Sequence, residues 1–346
     1  MDTMKALVLT DYLHLEYKDV PVPEIHDNEV LVNVKACAIC GSDFHGWDGG
    51  SGRRQPPVIM GHEAAGVISR VGKNVKKWKV GDRVTFDSTV YCAKCWFCQH
   101  GMINLCEDRM VLGVSCDEYN RDGAMAEYVA IPEHILYKLP DEVSFVQASC
   151  VEPLSVIVHA VSISNMKPGH RCVVAGAGVM GLLLLQVLKA AGATEVIVAD
   201  LIQSRLDYAK KLGATRVVKT DEEDLRTVVL EMTNGRGADL AFECCGIQPT
   251  LDLAVNSVRL GGNVVMIGNL AKNVEIPMQK CVTQQIDIQG SCASAGEYDI
   301  CLDLMAKKLV NTDAVISTVA PLKDGAKWFE KLYKPGSGLY KVVLEP

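Results

Sequence analysis

The chain has 346 residues, 49% hydrophobic and 22% charged, with a formal net charge of −7; it can bury two sizeable cores and is neither disordered nor fibrous. Its lysines and arginines are scattered, which offers no basic face to nucleic acid or to an anionic membrane. Its 14 cysteines are too unevenly spaced for a secreted disulfide framework, and several show metal-ligand spacing, so a reducing cytoplasm is the expected compartment.

In chain order, Ala6-Leu7-Val8-Leu9 reads as a strand with no cleavable apolar leader before it. Val30-Leu31-Val32-Asn33-Val34 is a second apolar run, and Gly81-Asp82 marks a turn between others, so the first 150 residues read as strands and loops. From about 170 the rhythm changes. Short apolar runs at 172–175, 195–199, 216–218, 240–242 and 264–267 alternate with helix-length segments, the spacing of a parallel α/β sheet. The most apolar window, 179–188, contains Gln186 and is followed by Lys189; it is too short to span a bilayer and reads as a buried helix. Beyond 286–289, a helix over about 297–307 and a closing strand, 340–344, are too little for a domain of their own. The expected division is a strand-rich domain over 1–153 completed by 293–346, and a nucleotide-domain candidate over 154–292.

Gly176-Ala177-Gly178-Val179-Met180-Gly181 follows a predicted strand and opens the apolar helix, the context that gives a GxGxxG pattern its meaning. Gly176 makes the tight turn, Gly178 lets backbone approach a pyrophosphate, and Gly181 permits close helix-to-strand packing. The N–H groups at Val179 and Met180 open the helix toward the anion. Nineteen residues on, Asp200 ends the second strand, where a carboxylate accepts both ribose hydroxyls of an adenosine. That favours NAD over NADP, although Arg205, a turn later, could reach a 2′-phosphate or be a plain surface residue.

Cys92, Cys95, Cys98 and Cys106, at gaps of two, two and seven residues, can close a tetrahedral zinc site with no open position. An iron–sulfur cluster fits this spacing poorly. A second, dispersed constellation comprises Cys40, His62, Glu63 and Glu152. A thiolate, an imidazole and carboxylates suit a zinc ion that keeps a position for substrate, but spacing alone leaves open whether they meet; His62 could be a turn histidine and Glu152 a solvated one. Two further features stay open. Trp47 either lines a pocket or packs, and Arg53-Arg54 either binds a phosphate or is a solvated loop pair.

Cys40-Gly41-Ser42-Asp43-Phe44-His45, Gly61-His62-Glu63-Ala64-Ala65-Gly66, Val80-Gly81-Asp82-Arg83-Val84, the four-cysteine segment, Glu152-Pro153-Leu154-Ser155, the glycine loop and Gly261-Gly262 occur in order along the chain. Together they resemble the zinc-dependent medium-chain dehydrogenases, and among them the polyol (sorbitol or L-iditol type) dehydrogenases. The resemblance implies a GroES-like β-barrel-type catalytic domain plus a Rossmann doubly wound parallel-sheet domain, two zinc ions per chain, and NAD. It implies that Cys40, His62 and Glu152 hold the catalytic zinc, with Glu63 binding directly or through water. It also makes Ser42 and His45 a proton relay. Position 152 is cysteine in the typical alcohol dehydrogenases of this superfamily and glutamate in the polyol type, so the implied substrate is a free polyol oxidised to a ketose. Dehydrogenases of a sugar-alcohol phosphate such as galactitol 1-phosphate, of 2,3-butanediol or of L-threonine resemble the stretch too. A zinc-binding scaffold without catalysis is disfavoured by the intact ligand set. A homodimer or homotetramer, associating near residues 264–292, is the implied assembly.

Overall fold

The run of apolar residues at Val30 to Val34 lies within a ten-residue strand, Glu29–Ala38, that is buried on both faces, which is why polar alternation is missing from it. The computed structural model containing it describes residues 2–116, 119–334 and 336–346, and of 116, 119 and 120 the backbone alone. Two compact units are formed: Met1–Pro153 with Ala295–Ala306 and Thr312–Pro346, and Leu154–Ser294 with Lys307–Asn311.

In the first unit Glu29–Ala38 is the middle of a seven-stranded sheet. On one side come Glu63–Val71, Arg83–Phe86 and Leu136–Lys138, on the other Lys341–Glu345 and Ile316–Pro321, while Tyr128–Pro132 also pairs with the central strand. These pairings are antiparallel except that of Ile316–Pro321 with Lys341–Glu345. Three more strands, His14–Pro21, Thr3–Asp11 and Val58–Ile59, form a second sheet, and one core containing Leu7, Val32, Ile68, Phe86, Ile131 and Phe329 joins them.

The register of the central strand positions the chemistry. Ala38 faces Glu63 on one neighbour and Val343 on the other. Cys40, His62, Glu63 and Lys341 therefore emerge at one end of three adjacent strands, although they come from distant parts of the chain.

The second unit is a six-stranded parallel sheet ordered Arg216–Lys219, Glu195–Asp200, Arg171–Ala175, Ala238–Glu243, Val258–Met266, Asp287–Gly290. Counted within the unit this is 3-2-1-4-5-6, the dinucleotide-binding order whose switch point lies beside the first strand. The apolar window forms the helix Val179–Ala190, which buries every residue from Gly181 to Leu188. Its one polar member explains a departure from the expected boundary. Gln186 accepts from the Asn311 N–H at 2.8 Å and donates to the Asn311 carbonyl at 3.3 Å, so residues 307–311 belong with this unit rather than the first, as do 293 and 294. Among the described residues no helix is long and apolar enough to cross a membrane.

Candidate active site

Cys40 precedes the helix Gly41–Trp47, and Glu63, with His62 just before it, opens the strand beside the central one. The turn before them needs glycine. Gly61 has φ +95°, and a Cβ there would meet Met125 Cγ at 2.7 Å and Cys37 Sγ at 2.8 Å. The result brings one ligand atom each of Cys40, His62 and Glu63 within 4.8 Å of one another. Glu152, at the start of the helix Val151–Ile163, lies outside this trio, yet its charge is felt by the same groups. Its Oε1 accepts from Ser88 Oγ at 3.1 Å, and burial pushes its carboxyl above the usual range, with His62 opposing and Glu63 adding to the rise.

Around the trio stand three groups that spacing did not reveal. Asp43, fully buried, accepts from the Cys40 N–H at 2.9 Å and stands 3.4 Å from His62 Nδ1, an ion-pair distance rather than a formed hydrogen bond. Burial opposes its ionisation, but His62 and Arg54 outweigh burial and hold its carboxyl well below the ordinary range. A carboxylate against Nδ1 orients the imidazole and strengthens Nε2 as a ligand. Its sequence signal was there to be used: an acid three residues after a helix-opening residue, as in a capping box.

Lys341, 3% exposed, donates to Glu63 Oε2 at 2.5 Å and to the Ile39 carbonyl at 3.4 Å. Glu63 Oε1 is buried with no partner among the described residues. A buried carboxylate oxygen left over beside a thiol and an imidazole is what a cation would satisfy. Charge agrees. With two carboxylates, one thiolate and the Lys341 ammonium in the pocket, a divalent ion brings the net charge to zero, the condition under which such a cluster can be buried. The residues fit zinc.

Arg54 corrects the reading of Arg53-Arg54. It is neither a solvated residue nor a free phosphate ligand but 3% exposed, bonded to Asp43 and to Ser42. Arg53 is exposed. Trp47 packs: it is buried and meets Phe329 and Tyr333 edge-on. Ser42 and His45 are both exposed, three residues apart on the same helix. A groove of about 910 Å³ in this unit, lined by Met4, Val20, Ile59, Arg70 and Arg121 among others, contains none of these residues.

The four-cysteine lobe brings Cys92, Cys95, Cys98 and Cys106 within 4.8 Å of one another. Backbone N–H groups already point at the sulfurs, from Cys95 and Lys94 to Cys92 Sγ at 3.3 and 3.5 Å, and from Cys92 to Cys106 Sγ at 3.2 Å. Cys95 and Cys98 lie 3.5 Å apart; N–H groups and neighbouring thiols lower the first to about 7, whereas burial and those thiols push the second to about 12. Four converging thiols that cannot all ionise unaided suit a closed tetrahedral zinc.

In the second unit Gly176 has φ +108°, and a Cβ on it would meet Cys245 Sγ at 2.5 Å. A Cβ on Gly181 would fall 1.8 Å from the Gly176 carbonyl, while one on Gly178, the residue capping the helix, would enter open space. Two glycines are thus demanded by packing, and the third leaves a cradle for an anion over Val179 and Met180. Asp200 is held at the edge of this cradle, accepting from the Ala177 N–H at 2.7 Å and the Ile202 N–H at 2.8 Å. Arg205 is 3.9 Å from it. Unforeseen here is Glu243, buried at the end of the neighbouring strand, whose Oε1 accepts from Cys245 N–H, Gly246 N–H and Thr250 Oγ1 at 2.6–2.7 Å and so fixes the loop facing Gly176.

Residues 26–141 match the alcohol dehydrogenase GroES-like domain and 179–307 the zinc-binding dehydrogenase domain. The chain is 34% identical over 348 residues to the sorbitol dehydrogenase of Bacillus subtilis strain 168, covering 99% of this chain and 97% of that one. It is 34% identical over 347 residues to D-xylulose reductase A of Aspergillus oryzae, with 98% and 96% covered. A Sinorhizobium meliloti 1021 protein of the zinc-binding dehydrogenase type, solved with NADP, superposes with a TM-score of 0.91 at 30% identity over the full length of both chains. With a GroES-like unit carrying a thiol–imidazole–carboxylate pocket and a Rossmann unit carrying the glycine loop, the chain belongs to the zinc-dependent medium-chain dehydrogenases, a family of oxidoreductases.

Proposed function

We propose that this dehydrogenase oxidises a secondary hydroxyl of a free polyol to a ketone, reversibly, with NAD as acceptor. The observation that carries the reading is the pocket: Cys40, His62 and Glu63 converge, and the nearby fourth candidate ligand, Glu152, is a carboxylate rather than a second thiolate. That substitution makes a harder site, suited to a vicinal diol with two oxygens to offer. The sorbitol dehydrogenase and xylulose reductase relatives support the same substrate class.

When bound, the metal supplies Lewis acidity toward a hydroxyl oxygen, and the nicotinamide supplies the hydride acceptor. Cys40, His62, Glu63 and Glu152 would hold the first zinc, and Cys92, Cys95, Cys98 and Cys106 the second. Ser42 receives the hydroxyl proton, and His45, on the same helix face, passes it to solvent. Per turnover a polyol and NAD give a ketose, NADH and one proton. Gly176, Gly178 and Gly181 admit the pyrophosphate to the N–H groups of Val179 and Met180. Asp200 takes the ribose hydroxyls and disfavours a 2′-phosphate, with Arg205 nearby as the group that would tolerate one. Because Arg54 is already committed to Asp43, a phosphorylated substrate finds less cationic help than the sequence offered.

Self-association as a homodimer or homotetramer is supported by the edge strand Asp287–Gly290 and by the exposed apolar residues Leu270, Ile276, Met278 and Val282 near it. A reducing, cytoplasmic setting is supported by the two groups of converging cysteine-bearing ligands, which bind metal only as unoxidised thiols.

The test is reduced-cofactor formation from sorbitol, xylitol, L-iditol, galactitol, galactitol 1-phosphate, 2,3-butanediol and L-threonine, with NAD or NADP, with and without a zinc chelator. Chelator-sensitive NADH formation from a free polyol is expected. Activity confined to the phosphate, the butanediol or threonine would move the substrate, and silence across the panel with two zinc ions bound would overturn the diol reading.

A further inference from the structure

Arg54 is buried in the first unit on the strength of side-chain bonds that no structural need of its own loop explains. Its backbone is tied to Ser115 in a short bridge, and the neighbouring Gln55 N–H donates to Ser115 Oγ at 2.9 Å, so the residue enters from a fixed position. Its stem then runs across the helix Gly41–Trp47 at Gly46, where a Cβ would fall 2.0 Å from Arg54 Cδ; the absent side chain leaves the passage open. At the far end the guanidinium forks. Nη2 donates to Asp43 Oδ1 at 2.8 Å, Nη1 to the Ser42 carbonyl at 3.0 Å, and Nη2 also reaches Ser42 Oγ at 3.4 Å.

A hydroxyl has two acceptor sites and one proton, whereas a guanidinium donates and never accepts. With Arg54 directed at one acceptor site of Ser42, the hydroxyl keeps one acceptor and its own proton, and it cannot turn that proton back toward Arg54. That is the complement a relay needs: one site that accepts a proton and one proton to pass on, in either direction of the reaction. The same guanidinium neutralises Asp43, the carboxylate that holds the Cys40 N–H and faces His62. We propose that Arg54 is a positioning residue for proton removal, orienting the Ser42 hydroxyl. This inference rests on the reading of Ser42 as the proton acceptor.

The experiment compares Ser42→Ala, Arg54→Met, Arg54→Lys and the Ser42→Ala/Arg54→Met pair in the full-length, zinc-loaded enzyme. It reads kcat, KM for the best polyol, zinc content and the solvent deuterium isotope effect. Ser42→Ala and Arg54→Met are each expected to lower kcat by about 10²-fold, within the range of general acid–base contributions, with KM and two zinc ions per chain retained. The isotope effect should rise in Arg54→Met as proton transfer becomes limiting, and the double variant should be no more than about twofold below Ser42→Ala, because the two act through one hydroxyl. Arg54→Lys, which keeps the charge for Asp43 but lacks the fork, should keep thermal stability and zinc yet remain slow, and it serves as the test if Arg54→Met fails to fold. Multiplying losses in the double variant, full kcat in Arg54→Lys, or loss of one zinc from Arg54→Met would overturn the inference while leaving the relay standing. Undiminished kcat in Ser42→Ala would instead overturn the relay itself.

Discussion

The lobe at residues 92–106 and the pocket around Cys40 both gather metal-ligating side chains, but one is written along a single segment and the other is assembled by strand register. In the lobe every sulfur comes from fifteen consecutive residues, and N–H groups of the same loop already point at them. In the pocket, Cys40 and His62 come from adjacent strand ends, Glu152 from a helix, and the counter-charge Lys341 from a strand 278 residues beyond Glu63. Locally encoded ligands make a closed, stabilising site; ligands delivered by tertiary structure make one whose open face and charge can be tuned independently.

That contrast can be broken most sharply by paired substitutions. Cys40→Ser should lower turnover by about 10³-fold, leaving one zinc per chain and shifting the thermal midpoint by no more than about 2 °C. Cys98→Ser should cost roughly 3 kcal/mol, about 6–12 °C in midpoint, because metal binding there is folding free energy. Metal analysis and thermal unfolding of the two side by side decide; equal destabilisation would erase the distinction. Next in size, Glu152→Ala is expected to reduce turnover about 10²-fold with the fold intact, and full turnover with metal still bound would remove Glu152 from the ligand set. Lys341→Met sharpens the comparison further. It should weaken zinc at the pocket by about 10–100-fold in a chelator competition and leave the lobe untouched, since it supports a ligand without being one. The smallest effect belongs to Asp200→Ala, for which the kcat/KM ratio of NAD to NADP should fall by about tenfold; an unchanged ratio would assign cofactor choice elsewhere.

The same contrast explains what could be read from the sequence. The lobe, the glycine loop and the parallel rhythm after residue 170 were legible because each depends on neighbours within one segment. Lys341 was not, because in the closing run Tyr340-Lys341-Val342-Val343-Leu344 a lysine looks like the solvent side of a strand; only the pairing of Ala38 with Val343 and Glu63 turns it inward. Arg54 sits in a glycine- and serine-rich loop, where exposure is the ordinary expectation, and the space beside Gly46 that admits it is a three-dimensional fact. The tail differs from the expected division at residues 307–311 for a related reason: the bonds that tie Asn311 to the buried Gln186 of the second unit join positions 125 residues apart.

The position of Lys341 also sets an order of events during synthesis. Most of the second unit lies in the one segment 154–294 and can begin to fold as it emerges, and the lobe's four ligands are all in hand as soon as residue 106 is exposed. The pocket around Cys40 has neither its neutralising lysine nor the strand beside Ala38 until residue 341 has been made. A ribosome-bound chain halted short of that point would have the lobe's four thiols in place and lack a finished seat at the pocket, so on the proposed two-zinc reading the pocket's ion would be loaded later than the lobe's.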